Sequence, residues 1–504
     1  MASSTYASFT VLPEPFLEFG RPKRPDIDPV GCDPQIGLLE CGPYSTQLGG
    51  RWHPSVTRVI PIACDTDFAD VTETLGRLAD FERIETACPS ARVDFPGFEV
   101  AYRSKLEIVK DVEGQIMQRS LFDEALGHYR VAEGFKALIE TVLKAVDACG
   151  NVAPGAVLAI YLPRDIVTQF RTLTPDFQLA RPSKKKEDKN DSRQMILFSE
   201  LTANDDEEES LYHDLRRAIK VRAMQRGVAI QLLTDSFLTD EPSQPWAGKF
   251  WNVSCSLFAK AGGIPWRLPT EENIAHCGIR FGVSKDSAGT KILVGVAQVF
   301  SASGELVAVR TGRASRRSKQ TSEAGYFLTM EQAFDLISSA IDDYEMVTGR
   351  IPDRMLVHKS SQFKDEEVEG VAAACRGVRE ADLVYIKRNT PFRLMPPGGQ
   401  PARRGTVVPT ADDSALLYLS GFIESERSWR GKHIPSPVEI VRCQSNRSLL
   451  DLAEEVMRLT KMNWNTTIYA SRHPCTFANA SEMIGMMKEL RNGEVLLPQI
   501  RYYI

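Results

Sequence analysis

The chain has 504 residues, room for about three domains at roughly 150 residues each. Hydrophobic residues make up 43% and charged residues 25%, which excludes a disordered or collagen-like chain and leaves enough apolar material for real cores. The formal net charge is −5, so any grip on a polyanion has to come from cations gathered locally, not from the molecule as a whole.

Residues 1–60 are rich in Pro and Gly and read as irregular, with turn signals at Gly20, Pro22, Pro25 and Pro29. Short strands are expected at 106–108 and 116–117, around a turn at Glu113 and Gly114, and helical periodicity covers 121–146. The apolar run 156–162 suits the centre of a parallel sheet. A charged loop at 183–191, a strand at 195–198 and an acidic run at 205–209 lead into a helix at 211–226, a strand at 228–233 and a helix at 250–259. This βαβα alternation predicts a Rossmann-like α/β unit. Beyond Gly263-Ile264-Pro265-Trp266 the pattern changes to strands at 277–283, 292–300 and 306–311. A helix follows from about Thr329, with Gln332 as capping-box partner, to Val347 before Gly349. A strand at 354–358, a helix at 364–375 and a strand at 383–387 complete the order βββαβαβ of an RNase H-like core. A strand at 438–443 and helices at 449–460 and 481–491 end the chain.

Ten cysteines are scattered with neither zinc-site nor CxxC spacing, which reads as reduced thiols. No apolar run reaches the ~18–20 residues that span a bilayer. The N-terminus lacks a signal-peptide layout, so the expectation is a cytoplasmic protein without a membrane partner.

The densest chemistry lies at 211–263. Tyr212, Arg216 and Lys220 are four residues apart and share one helix face. Between 211 and 226 five Arg or Lys stand against one Asp; Gln231 follows, then Asn252 and Lys260 before Gly262-Gly263. A terminal phosphate needs several charge-assisted donors converging from different directions. An aromatic ring can stack on the base it carries. Arg216, Gln231, Lys260 and Tyr212 offer both; a solvated basic helix is the plainer reading of the same charges.

Taken with Gly262-Gly263-Ile264-Pro265-Trp266, this spacing resembles the MID domain of Argonaute proteins at its junction with PIWI. The resemblance covers 140–504, with a weaker likeness at 37–44. It implies an α/β chain of three parts: 1–139 as an N-terminal extension or part of the MID lobe, a Rossmann-like MID domain at 140–265, and an RNase H-like PIWI domain at 266–504. In that family an aromatic or His residue, a Lys four residues on, a Gln and a later Lys hold the 5′ end of a guide strand. By position Tyr212, Arg216, Gln231 and Lys260 take those roles, with Asn252 beside them. Arg at 216 keeps the charge and changes the shape, and Ser256 stands where a second Lys often lies. The resemblance also implies that the carboxylate of Ile504 helps hold Mg²⁺ at the guide phosphate; a terminus merely packed by Tyr502 and Tyr503 is the alternative. Lys220, Lys461, Asn463, Asn465 and Arg472, next to His473, become candidate contacts to guide or target backbone, against ordinary surface polarity.

An RNase H-type centre holds two metal ions with clustered carboxylates. The resemblance sets Gly282 where the first Asp is expected. Lys359, or His358 with a one-residue shift, stands at the second position and Ser481 at the last. Glu331 is the nearest candidate for a glutamate finger and also reads as an ordinary first-turn helix residue. Asp286 lies in a turn, where Asp is a common turn former. The expectation is a PIWI domain that does not cut, with no catalytic cofactor. An active guide-dependent nuclease using Asp286 or a displaced Glu is the alternative, and a scaffold protein is a further one. The likeness is to the short prokaryotic class. That implies a guide RNA, a complementary single-stranded DNA, and an APAZ-domain partner bearing a TIR, Sir2 or nuclease effector. It also implies a role in defence against plasmids or phage, and a higher oligomer on target binding.

Overall fold

The computed structural model describes residues 8–84, 91–127, 131–152, 155–170, 213–239, 245–285, 291–301, 303–316, 326–388, 390–396, 400–423, 429, 434–468, 471–491 and 493–504. The expected features at 183–191, 195–198 and 205–209, together with Tyr212 and Asp286, lie outside the described residues. The chain divides into two compact units. One comprises Glu18–Trp266, Trp464–Ile468 and Gly485–Ile504; the other comprises Met1–Leu17, Arg267–Asn463 and Tyr469–Ile484. Residues 18–139 therefore do not stand apart from 140–266, because they supply a central strand of the first unit's sheet.

That sheet is built from β1 (Val56–Cys64), β2 (Lys105–Ile108), β3 (Ile116–Met117), β4 (Val157–Tyr161) and β5 (Ile230–Leu233), in the order β2–β1–β4–β5, with β3 pairing the end of β1. Every pairing is parallel, as in a Rossmann-like unit. The sequence reading missed β1 because Pro61 interrupts its apolar run. Along β1 the bonds Lys105 N to Ser55 O, Val109 N to Val59 O and Ala63 N to Gln115 O show that odd-numbered residues face the side of β2 and β3. β2 pairs residues 56–59 and β3 pairs 63–64, so Pro61 falls between them and its missing N–H breaks no ladder bond.

Helices α1 (Val131–Val152) and α2 (Leu215–Gln225) bury Leu138, Val142, Val146, Leu215 and Ile219 against Ile60, Ile62, Leu158, Ile160 and Leu232 of the sheet. Asp214 caps α2 by accepting from Arg217 N at 3.1 Å. Gly227 ends it at φ 71°, which lets Val228 N–H reach back to the Ala223 carbonyl and swings the chain into β5. Helix α3 (Trp246–Lys260) follows, buried along most of its length.

In the second unit ten strands form one sheet among the described residues: Thr10–Val11 and β6 (Ile274–Lys285), β7 (Lys291–Phe300), β8 (Leu306–Arg316), β9 (Tyr326–Phe327), β10 (Arg354–Lys359), β11 (Glu380–Lys387), β12 (Thr406–Ala411), β13 (Ser414–Leu417) and β14 (Val438–Gln444). From Thr10–Val11 the order runs β12, β13, β14, β11, β10, β6, β7, β8, β9. β10 is parallel to both β6 and β11, and the other pairings are antiparallel. With α4 (Met330–Thr348) between β9 and β10, and α5 (Asp365–Ala374) between β10 and β11, the RNase H-like order is present. Thr329 and Gln332 form the expected capping box, and Gly349 at φ 78° closes α4. α4 and α5 pack on Cys277, Ile279, Phe281, Met355 and Val357. α6 (Leu449–Leu459) packs with Leu356, Ile386 and Ile440, and α7 (Cys475–Met487) adds Phe477 to that second core. α7 starts six residues before the helix read at 481–491.

Candidate nucleic-acid interface

Three cations meet in the first unit. Lys260, the last residue of α3, is 3% exposed, and its Nζ donates to Gln231 Oε1 on β5 at 2.5 Å. Burial first, then Lys220 and Arg216, hold the ammonium well below its ordinary value. Arg216 and Lys220 are one turn apart on α2, half-buried, and both act on the same ammonium. Arg222 on α2 pairs with Glu494 at 2.6 and 2.8 Å, and Arg226, just past the end of α2, pairs with Asp147. The arrangement is thus an amide and three cationic side chains from two helices and a strand, converging where the charged groups acting on Lys260 are themselves cations. Such a site suits an anion with several oxygens.

Asn252 does something different. It lies two turns before Lys260, roughly 12 Å along the helix. Its Oδ1 accepts from Thr467 N at 2.9 Å, Thr466 Oγ1 at 2.9 Å and Thr467 Oγ1 at 3.3 Å. Ser256, one turn on, donates to the Asn465 carbonyl at 3.3 Å. The two residues fasten the segment Trp464–Ile468 onto α3, so Asn252 is corrected from a phosphate ligand to a clamp.

Lys461, expected on a nucleic-acid backbone, is buried in the second unit, where its Nζ meets Glu14 at 2.6 Å while Arg404 holds the same carboxylate at 3.0 Å. Burial would raise the Glu14 carboxyl, but Arg404 and Lys461 outweigh it and hold it below the usual range. Lys461 is therefore a structural cation. Asn463, Asn465 and Arg472 are half-buried. Ile504 is buried at 2% exposure, and the terminal turn Ile500–Tyr502 packs against α3. The side chains of the cationic cluster offer no carboxylate to a divalent cation, so on their own they do not make a Mg²⁺ site. Tyr212 lies outside the described residues.

Strand register corrects the pairing of Gly282 with Lys359. Side chains alternate along a strand. Ile279 and Phe281 point to the α4–α5 core, so Gly278, Arg280 and Gly282 face the opposite side. α7 lies against that side: a Cβ on Gly278 would run into Thr476, and one on Gly282 into Ile484 Cγ2, far inside contact distance. Glycine at 282 is thus explained by close approach of a helix. Lys359 points the other way. It is fully buried, within 5.3 Å of the Phe281 ring and 5.1 Å of the Phe363 ring, and is bound to Glu367 at 2.5 Å. The two residues sit on opposite faces of the sheet and cannot be two positions of one metal centre. His358 shares the Gly278 face, where its Nδ1 lies 3.2 Å from Thr476 Oγ1. Burial, then His276 and Arg354, depress its pKa to about 3. Ser481 is half-buried on α7, next to Ala480, which lies between the residues seated on β6. Glu331 is exposed in the first turn of α4. Arg280, which the sequence reading did not single out, shares the face of Gly282; the period-two alternation around Cys277-Gly278-Ile279 was the available signal.

No protein-family model matches the chain. A stretch of 141 residues is 27% identical to the Argonaute protein of Thermus thermophilus, covering 28% of this chain and 19% of that protein. Among solved structures, Clostridium butyricum Argonaute, bound to a guide DNA and a 19-mer target DNA, superposes with a TM-score of 0.58 at 14% identity over 99% of this chain. Aquifex aeolicus Argonaute superposes with a TM-score of 0.56 at 14% identity over 98% of this chain. The chain spans 55% and 57% of those two structures, so its fold is that of a little over half of an Argonaute.

Proposed function

We propose that the chain holds the 5′-phosphorylated end of a short guide strand at Arg216, Lys220, Gln231 and Lys260 and offers the guide for pairing with a complementary strand. The observation that carries this reading is the buried Lys260 ammonium, bonded to Gln231 and crowded by two further cations. Placing like charges together under burial is unfavourable until an anion completes the site. The Argonaute-like fold supports it, since the Clostridium butyricum neighbour holds a guide and a target. Base pairing would read the sequence, and the protein would hold backbone charge.

The finer reading follows the resemblance: a guide RNA, a single-stranded DNA target, and activation of an APAZ-domain effector partner in prokaryotic defence, with assembly into a higher oligomer. Enzymatic activity, whether on NAD or on nucleic acid, is assigned to that partner. In support, Gly282 is filled over by Ile484, and His358, on the same face of the sheet, is a buried imidazole where a carboxylate would be needed. A divalent cation at the guide end would need phosphate oxygens and the Ile504 carboxylate together, because the side chains there are cations and amides.

The test is direct. The full chain is purified, its nucleic acid is extracted and sequenced, and the protein is titrated with RNA and DNA oligonucleotides bearing either a 5′-phosphate or a 5′-hydroxyl. Co-purified short RNA, preference for the phosphate, and loss of both in Arg216→Glu with Lys260→Glu are expected. With Mg²⁺ or Mn²⁺ the paired target stays whole. Material that carries no oligonucleotide and ignores the 5′-phosphate sinks the reading.

A further inference from the structure

Helix α2 cannot neutralise itself. Leu215–Gln225 holds four cations, Arg216, Arg217, Lys220 and Arg222, and not one Asp or Glu. Like charges three and four residues apart on a helix repel one another. Two carboxylates beside the helix come from the last stretch of the chain, Gly485–Ile504, which belongs to the same unit. Glu489 reaches the start of α2: its carboxylate oxygens lie 3.1 and 3.2 Å from His213 Nδ1, and one accepts from Asp214 N at 3.3 Å. Arg217 lies across Gly485, so closely that a Cβ there would run into its guanidinium. Arg222 donates to both Glu494 oxygens and to the Glu489 carbonyl. Gln225 completes the series by donating to the Val495 carbonyl at 2.7 Å.

These contacts take one side of the helix. With 3.6 residues per turn, Arg217, Arg222 and Gln225 average about 150° around the axis from Arg216 and Lys220. The side held by the C-terminal stretch is therefore nearly opposite the side that acts on Lys260. Burial works against the charge on Arg222, and Glu494 offsets part of that, so the pair stands where losing one partner strands a buried charge. The same stretch runs on to the terminal turn Ile500–Tyr502, which packs against α3, the helix that ends in Lys260. Tyr503 Oη donates to the Leu497 carbonyl at 2.6 Å, and Ile504 N donates to the Ile500 carbonyl at 3.2 Å, which folds that end back on itself. One stretch thus touches both helices whose cations meet at Gln231.

We infer that Gly485–Ile504 braces α2 and α3 against each other, and that Glu489 and Glu494 are positioning residues. They set where Arg216 and Lys220 stand relative to Lys260, and so how well the cluster tells a 5′-phosphate from a 5′-hydroxyl. The role rests on the phosphate-end reading above and deepens it: both carboxylates act through Arg222, His213 and the start of α2, and neither touches the ligand. Coupling of this kind is reciprocal, so a phosphate held at the cluster must in turn quiet the brace.

Two measurements on the full chain test this. In hydrogen exchange, a 5′-phosphorylated mononucleotide slows the amides of Glu489, Glu494 and Val495, and the matching nucleoside does not. The second measurement titrates one oligonucleotide carrying either end. Arg222→Met with Glu494→Met removes both members of the pair and strands neither charge. It lowers the preference for 5′-phosphate roughly ten-fold, the worth of about one charge-assisted hydrogen bond, while the affinity for the 5′-hydroxyl strand is kept. Glu489→Gln shifts the preference in the same direction, and Arg222→Lys, which retains the pair, retains the preference. Equal loss for both strands, with a lower thermal midpoint, marks a pair that only stabilises the fold and overturns the inference. An unchanged preference in the double variant overturns it too. In both cases the phosphate-end reading stands, provided that Arg216→Glu with Lys260→Glu abolishes the preference. A wild-type chain that does not distinguish the two ends overturns that reading as well.

Discussion

Burial, then Lys220 and Arg216, push the Lys260 ammonium toward its neutral form, and the sign of that shift fixes how binding responds to pH. In the free protein the folded value lies below the ordinary one. The destabilisation is therefore full at pH below the folded value, and it is relieved as pH rises toward the ordinary lysine range, where the unfolded chain also loses its proton. A bound phosphate favours the ammonium. Binding then takes up a proton between the free and bound values, and affinity falls as pH rises through that window. Calorimetric titration in two buffers of different ionisation heat measures the uptake; its persistence in Lys260→Met would remove Lys260 from the pocket. Burial also lowers the Lys359 ammonium, but Lys359 has a carboxylate partner. Its ion pair with Glu367 is fully buried, and Glu367 also accepts from Leu328 N at 2.8 Å and Lys364 N at 2.9 Å. Lys359→Met leaves that carboxylate without a cation and costs about 3 kcal/mol, to be read by denaturant unfolding. For the same reason Gly282→Asp with Lys359→Asp yields an unstable protein and no metal-dependent cutting, because one carboxylate collides with Ile484 and the other faces Glu367 from the wrong side of the sheet.

Helix α3 does two jobs at its two ends. Its last residue joins the cationic cluster, while Asn252 and Ser256 in its middle clamp a segment more than two hundred positions away in sequence. Asn252→Ala removes an acceptor shared by three donors and is expected to cost about 2 kcal/mol. Faster hydrogen exchange in Trp464–Ile468, with the preference for a 5′-phosphate intact, is the expected signature. Loss of that preference with exchange unchanged would return Asn252 to the phosphate. α7 illustrates the same dependence on distant partners. Its path along β6 requires small residues at Gly278 and Gly282, and this is why Gly282 reads as a lost catalytic carboxylate in one dimension and as packing in three.

Across the molecule the two units have separate cores, and the Lys260 cluster proposed to hold the guide end belongs to only one of them. A ligand stabilises the unit that binds it, by about 2.7 kcal/mol at a hundred times its dissociation constant. A 5′-phosphorylated mononucleotide, too short to reach a second site, is therefore expected to raise the melting of the first unit alone in a two-transition scan. Equal shifts in both transitions, or none, would contradict that assignment. The net charge of −5 makes the locality of this binding a requirement, since no general attraction to a polyanion exists to help it.

Local rules were enough to fix much of this in one dimension. Periodicity placed α2, α4, β4, β10 and the order βββαβαβ, and the Thr329–Gln332 box and Gly349 marked the ends of α4, because such signals act within a few residues of themselves; the Asp214 cap, which was not read, starts α2 at Leu215 and not at 211. Spacing put Arg216 and Lys220 on one helix face, and the resemblance to the MID domain added Gln231 and Lys260 as phosphate ligands. Three-dimensional packing decided the rest. It placed β1 across a proline, gave Asn252 and Lys461 partners far along the chain, and set Gly282 and Lys359 on opposite faces. Which side chains meet there depends on strand register and on what covers each face, and both are set by contacts between segments distant in sequence.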